Sequence, residues 1–193
     1  MQNEPIIDKK SGLLKNARQC PSPNCDERSD ENNISLIVIH NISLPPGDFG
    51  EYWIDKLFTN QLPKNKHPFF AEIYTLRVSS HLLIRREGEI VQYVPFHKRA
   101  WHAGISQFQN KEKCNDFSIG IELEGTDYQP FTDIQYKQLA ITIKQLQQQY
   151  PSLAKQNITG HQHIAPKRKT DPGPFFDWQR LSTALEVDLP SSA

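Results

Sequence analysis

Ile34-Ser35-Leu36-Ile37-Val38-Ile39-His40 is apolar at every position but Ser35 and His40. A run this continuous predicts a central strand buried on both faces, as in a sheet covered by helices on either side. The strand delivers its last residue to the sheet end, where pockets form, so His40 is expected at a cleft rather than in a core. Beyond it, Pro45, Pro46 and Gly47 force a loop, and Tyr52, Trp53, Leu57 and Phe58 fit a short amphipathic helix.

Further along the chain, Ser80-His81-Leu82-Leu83-Ile84-Arg85 and Glu89-Ile90-Val91-Gln92-Tyr93-Val94 flank a turn at Arg86-Glu87-Gly88. They predict a hairpin at one edge of the sheet. A further strand alternates, with Phe117, Ile119, Ile121 and Leu123 on one face and Ser118, Gly120, Glu122 and Glu124 on the other. Small residues and two carboxylates make that second face a poor core and a plausible floor for a site. Thr132-Asp133-Ile134-Gln135 matches a capping box, and Tyr136, Leu139, Ala140, Ile143, Leu146 and Tyr150 continue a helical stripe up to Pro151. A last helix is expected from Asp177, burying Trp178, Leu181 and Leu185. Strands and helices interleave, but the hairpin excludes a purely parallel sheet, so the expected class is α/β, a mixed β-sheet flanked by α-helices.

The 193 residues, 37% hydrophobic and 23% charged, suffice for one ordinary core. The expected division is an N-terminal arm over 1–33, with a short helix on the stripe Ile6, Ile7, Leu13, Leu14 and Ala17, then one domain over 34–187 and a tail over 188–193. Lysines and arginines number 22 against 22 acidic residues, which gives no field for nucleic acid or an anionic membrane. The amino terminus lacks the basic-then-apolar layout of a secretory signal, and no apolar run reaches transmembrane length. A cytoplasmic monomer is therefore expected, with Cys20, Cys25 and Cys114 as free thiols.

Seven histidines occur, and spacing alone does not select metal ligands among them. His40 stands out by its strand-end position, His161 by following Gly160, and Asp171 by its loop between prolines. Two imidazoles and one carboxylate, if they converge, hold a divalent metal with one position open, the pattern of a catalytic zinc site. The pair His161 and His163 would send only one ring inward from an extended segment. Glu122, between Ile121 and Leu123 in a central strand, would be desolvated and so raised towards the range of a general base; the alternative is a salt-bridged strand glutamate, which Glu124 fits better. Lys169 can face the same cavity as Asp171, either to stabilise an oxyanion or merely to pair with Asp171 from outside. Trp101 can supply a flat apolar wall or belong to the core.

These stretches resemble the zinc-dependent N-acetylmuramoyl-L-alanine amidases of the peptidoglycan-recognition type. The resemblance runs through Cys20-Pro21-Ser22-Pro23-Asn24-Cys25-Asp26, Ile39-His40-Asn41-Ile42-Ser43-Leu44-Pro45-Pro46-Gly47, Arg99-Ala100-Trp101-His102-Ala103-Gly104, Cys114 to Asp127, and Lys169-Thr170-Asp171-Pro172-Gly173-Pro174. It implies that His40, His161 and Asp171 bind zinc, that Glu122 acts on the attacking water, and that Lys169 stabilises the tetrahedral intermediate. It also implies that Asn41, Arg77, Trp101 and Lys113 hold a muropeptide and that His163 is not a ligand. Asp171 stands where many phage and peptidoglycan-recognition amidases use cysteine, which points to the branch acting on soluble 1,6-anhydro-muropeptides and thereby influencing β-lactamase induction. Phe69 stands where a tyrosine is expected, so no catalytic phenol is assigned. Lys113 replaces an expected arginine, which weakens a bidentate grip on a stem-peptide carboxylate. The competing expectations are a peptidoglycan-fragment binding module without catalysis and a zinc peptidase indifferent to the sugar.

Overall fold

The computed structural model describes residues 6–153 and 156–189. Met1 to Pro5 and all but the first two residues of the expected tail lie outside that set. The chain opens with β1 (Ile7–Asp8), β2 (Leu13–Leu14), β3 (Arg18–Gln19) and β4 (Cys25–Glu27). Then come β5 (Leu36–Ile42), α1 (Trp53–Phe58), α2 (Pro68–Ile73), β6 (Leu82–Ile84), β7 (Ile90–Gln92), β8 (Lys98–Ala100) and the ribbon of β9 (Gln107–Phe108) and β10 (Lys111–Glu112). A 3-10 turn over Cys114–Asp116 leads into β11 (Ser118–Glu124), α3 (Asp133–Gln149), β12 (Ile158–Gly160), α4 (His161–Ile164) and α5 (Trp178–Leu185).

Six strands form the main sheet in the order β12-β5-β11-β6-β7-β3. β5 and β11 lie at its centre and run parallel, β12 and β6 continue the parallel pairing outward, and β6 and β7 form the antiparallel hairpin. The sheet is mixed and carries helices, as the periodicity implied. The hairpin, however, is not an edge. β3 from the N-terminal arm pairs in parallel with β7 and covers it. Among its described residues the arm also forms no helix. Asp8 accepts from the amides of Lys10 and Ser11 and from the Ser11 hydroxyl, a local turn that competes with helix formation and closes the β1–β2 hairpin instead.

The pleat sorts the central strands into two faces. Ile37 and Ile39 of β5, with Ile119, Ile121 and Leu123 of β11, meet Tyr136, Leu139, Ile143 and Leu146 of α3 and Trp178, Leu181 and Leu185 of α5 in the main core. Each such fully buried side chain contributes about 1.5–3 kcal/mol. Helix α3 starts as the capping box requires: Thr132 accepts from the Gln135 amide and Gln135 accepts from the Thr132 amide. Asp177 caps α5 by accepting from the Arg180 amide.

The opposite face holds two smaller apolar clusters. One gathers Leu44, Ile54, Leu57, Phe58 and Phe70 over Leu83 and Val91; the other gathers Leu36, Val38, Ala103, Cys114 and Ile164. Phe117 belongs to the second, not to the face of Ile119, because it precedes β11 at the end of the 3-10 turn and is not yet extended. Between the two clusters this face turns polar, at His40 and Glu122.

Candidate active site

Strand register places the first two groups. On the parallel neighbours β5 and β11, Leu36 stands beside Ser118, Val38 beside Gly120 and His40 beside Glu122. His40 is 2% exposed and Glu122 is 8% exposed. The third strand, β12, ends at Gly160, and α4 begins at once with His161. A Cβ on Gly160 would lie 2.7 Å from Pro172 Cδ, so glycine there lets the Asp171-Pro172 loop close against the strand. The segment from 161 is a helical turn, not extended, and this separates the two imidazoles. His161 turns into the cleft, while His163 points back to Thr159 Oγ1 and the Gly160 amide.

His40 Nδ1 lies 3.0 Å from His161 Nδ1 and 3.0 Å from Asp171 Oδ2, and His161 Nδ1 lies 3.1 Å from Asp171 Oδ2. These three atoms form a near-equilateral triangle. Ligand atoms on a tetrahedral zinc with bonds of about 2.0–2.2 Å stand roughly 3.4 Å apart, so the set fits such an ion with slight expansion. The donor chemistry agrees. His161 Nε2 donates to the Ala103 carbonyl at 3.0 Å, and a carbonyl can only accept, which leaves Nδ1 of the neutral ring bare and aimed at the triangle. Among the described residues this is the one cluster of three or more histidine, cysteine or acidic side chains able to hold a metal ion.

Burial is the main cause of the electrostatics. It holds the His40 imidazole down to about 4 despite the neighbouring Asp171 carboxylate. It would likewise raise Asp171, but the close approach of the His161 and His40 rings outweighs it and keeps that carboxyl below the usual range. Desolvation, and then the charge of Asp171, push Glu122 well above the usual carboxylate range, and its Oε2 is buried without a hydrogen-bond partner among the described residues. Glu124, two residues on, is the structural carboxylate: it accepts from the Gly50 and Arg86 amides and lies 3.6 Å from Arg85.

Two clefts meet at Asp171. One, of about 420 Å³, is lined by His40, Glu122, His161, Trp101, Phe69 and Lys169. The other, of about 560 Å³, is lined by Asn41, Ser43, Asp127, Tyr128, Lys169 and Asp171. Lys169 is half-buried and lines both. Asn41 lines both too, but its amide nitrogen is committed to Asp127 Oδ1 at 2.7 Å and the Pro172 carbonyl at 3.0 Å, so it braces the ligand loop. Two expected substrate contacts, Arg77 and Lys113, do not line either cleft. The exposed Arg77 guanidinium folds back onto the carbonyls of Thr75 and Leu76. Lys113 lines a separate cavity of about 720 Å³ with Ile105, His163 and Arg168.

Residue-by-residue reading missed His102. Its Nδ1 lies 2.9 Å from His40 Nε2, and its Nε2 lies 3.1 Å from Ser118 Oγ. The signal was Gly120 on the site face of β11, where a Cβ would lie 2.5 Å from His102 Cγ. The three cysteines are free, and no helix among the described residues is long and apolar enough to cross a membrane.

A family profile described as N-acetylmuramoyl-L-alanine amidase matches residues 30–174. Over 177 residues the chain is 63% identical to the 1,6-anhydro-N-acetylmuramyl-L-alanine amidase AmpD of Escherichia coli strain K12, which covers 92% of this chain and 96% of that protein. It is similar to a crystal structure of a selenomethionine derivative of AmpD, with a TM-score of 0.89 at 60% identity over 95% of this chain and 99% of that one. It is also similar, with a TM-score of 0.58 at 28% identity over 96% of this chain and 67% of the other, to the E. coli amidase AmiD in complex with the substrate anhydro-N-acetylmuramic acid-L-Ala-D-gamma-Glu-L-Lys.

Proposed function

The chain belongs to the N-acetylmuramoyl-L-alanine amidase family, and from that premise we propose that it hydrolyses the amide joining 1,6-anhydro-N-acetylmuramic acid to the L-alanine of a stem peptide, with zinc held by His40, His161 and Asp171. The observation that carries the catalytic part is the Glu122 carboxyl, whose buried Oε2 has no hydrogen-bond partner among the described residues, beside a three-ligand cluster in one cleft. A binding module has no use for a desolvated acid with nothing to pair with; a hydrolase does.

Bound at this site, zinc would supply a Lewis acid for the scissile carbonyl and lower the pKa of water towards about 7. The chain's own groups do the rest. Glu122, its basicity raised by burial, takes the proton of the attacking water and returns it to the nitrogen of the departing L-alanine. Lys169, at the junction of the two clefts, brings an ammonium to the carbonyl oxygen as that atom becomes an oxyanion. Trp101 and Phe69 give the first cleft an apolar wall against which substrate is held away from bulk water. Phe69 carries no hydroxyl, so proton transfer rests on Glu122 alone.

The substrate assignment rests on the 1,6-anhydro sugar in the name of the E. coli relative and in the ligand of the AmiD complex. The test supplies zinc-loaded protein with anhydro-muropeptide and with the same stem peptide lacking the sugar. Release of intact stem peptide from the first alone supports the amidase. Shortening of the sugar-free peptide would make the chain a peptidase.

A further inference from the structure

The two ligand imidazoles are not held in the same way, and the difference singles out one residue. A neutral imidazole can offer Nδ1 to a metal only when its proton sits on Nε2. For His161 the Ala103 carbonyl enforces this. The partner of His40 Nε2 is instead His102 Nδ1, and an imidazole nitrogen can donate as well as accept.

We infer, resting on the zinc reading above, that His102 is a positioning residue that selects the metal-ready tautomer of His40, with Ser118 ending the chain of hydrogen bonds. A neutral His102 has one N–H. Placed on Nε2, it donates to Ser118 Oγ and leaves Nδ1 to accept from His40 Nε2–H, so that His40 Nδ1 is bare. Placed on Nδ1, it forces the His40 proton onto Nδ1, between His161 and Asp171, and blocks the site.

The surroundings hold the ring for this role. The amides of His102 and Ala103 both donate to Asn115 Oδ1, at 3.1 and 2.8 Å. The absent Cβ of Gly120 leaves the space that the ring fills. His102 meets His40 edge-on, with ring centroids 5.0 Å apart and planes at 90°, so its nitrogen addresses the outer edge of His40 and not the ligand triangle. One dipeptide thus braces both ligand rings, His40 through the His102 imidazole and His161 through the Ala103 carbonyl.

The test measures zinc affinity by chelator competition in wild type, His102→Phe and His102→Asn. His102→Phe keeps a ring but no acceptor, and should raise the zinc Kd about 10–100-fold. His102→Asn can place an amide oxygen where Nδ1 was, and should remain close to wild type. Long-range proton–nitrogen correlation on zinc-loaded wild type should find the His102 proton on Nε2 with Nδ1 bare, a readout that holds even if a variant fails to fold. Unchanged zinc affinity in His102→Phe, or a proton on His102 Nδ1, would overturn the inference. A wild-type protein that takes up no zinc would remove the zinc reading and this inference with it.

Discussion

Glu122 and His40 stand side by side on adjoining parallel strands, so a carboxyl whose buried Oε2 has no hydrogen-bond partner among the described residues and an imidazole aimed at the ligand triangle share one cleft floor. Both are fixed by the sheet rather than by loops, which suits groups whose relative position must hold to a fraction of an ångström. Glu122→Gln keeps the volume and removes the base. Turnover should fall by about 10²–10⁴ while zinc content stays at the wild-type level. Loss of zinc in parallel with activity would make Glu122 part of the metal's support instead.

Lys169 should act only as charge develops. Lys169→Met keeps the stem of the side chain and removes the ammonium. A fall in kcat of about 10²–10³ with KM little changed is expected from steady-state kinetics. A rise in KM at unchanged kcat would instead show ground-state binding.

His81 should make stability depend on pH, alongside the buried imidazoles of His40 and His102. The fully buried His81 ring accepts from the Gly120 amide at Nδ1 and faces the Lys98 carbonyl at Nε2, and burial, followed by the nearby Arg28, holds it well below the usual imidazole range. The native ring is therefore neutral where the unfolded one takes up a proton. Its stabilising contribution is complete above about pH 6.5 and is lost as pH falls below that, by up to about 1.4 kcal/mol per pH unit. Urea midpoints of chelator-treated wild type should decline between about pH 6.5 and about pH 5, and His81→Asn should show a shallower decline. Equal slopes would exclude His81 as the source.

Arg28 fastens the arm to the sheet. Only 6% exposed, it donates to the carbonyls of Asn115, Asp116 and Ser118 at 3.0, 3.1 and 2.7 Å. Arg28→Ala strands those acceptors and should cost on the order of 3 kcal/mol. Thermal unfolding would then shift down by roughly 10 °C. A shift within about a degree would show that water replaces the guanidinium there.

Periodicity carried much of this architecture. The apolar run through His40, the alternation through Glu122 and the capping box at Thr132 each depend on local pattern, and each is found, except that β5 starts at Leu36 and runs past His40 to Ile42 and that Phe117 falls outside the alternation. The arm was opaque because strands of two residues, such as Arg18–Gln19, have no period to read and form only by pairing with β7. His40, His161 and Asp171 could be proposed from strand ends and loop chemistry, but their convergence is a tertiary fact. His102 needed the structure outright, since its role depends on the space left by Gly120. Arg77 and Lys113 came from resemblance alone, and neither lines the two clefts that meet at Asp171.

Zinc dependence of stem-peptide release decides whether His40, His161 and Asp171 hold a catalytic metal. Protein stripped by chelator and then titrated with zinc is incubated with anhydro-muropeptide, and free stem peptide is followed by mass. The account predicts no release from the stripped protein, recovery that saturates at one zinc per chain, and no recovery in Asp171→Ala. Equal release from stripped and zinc-loaded protein would contradict it.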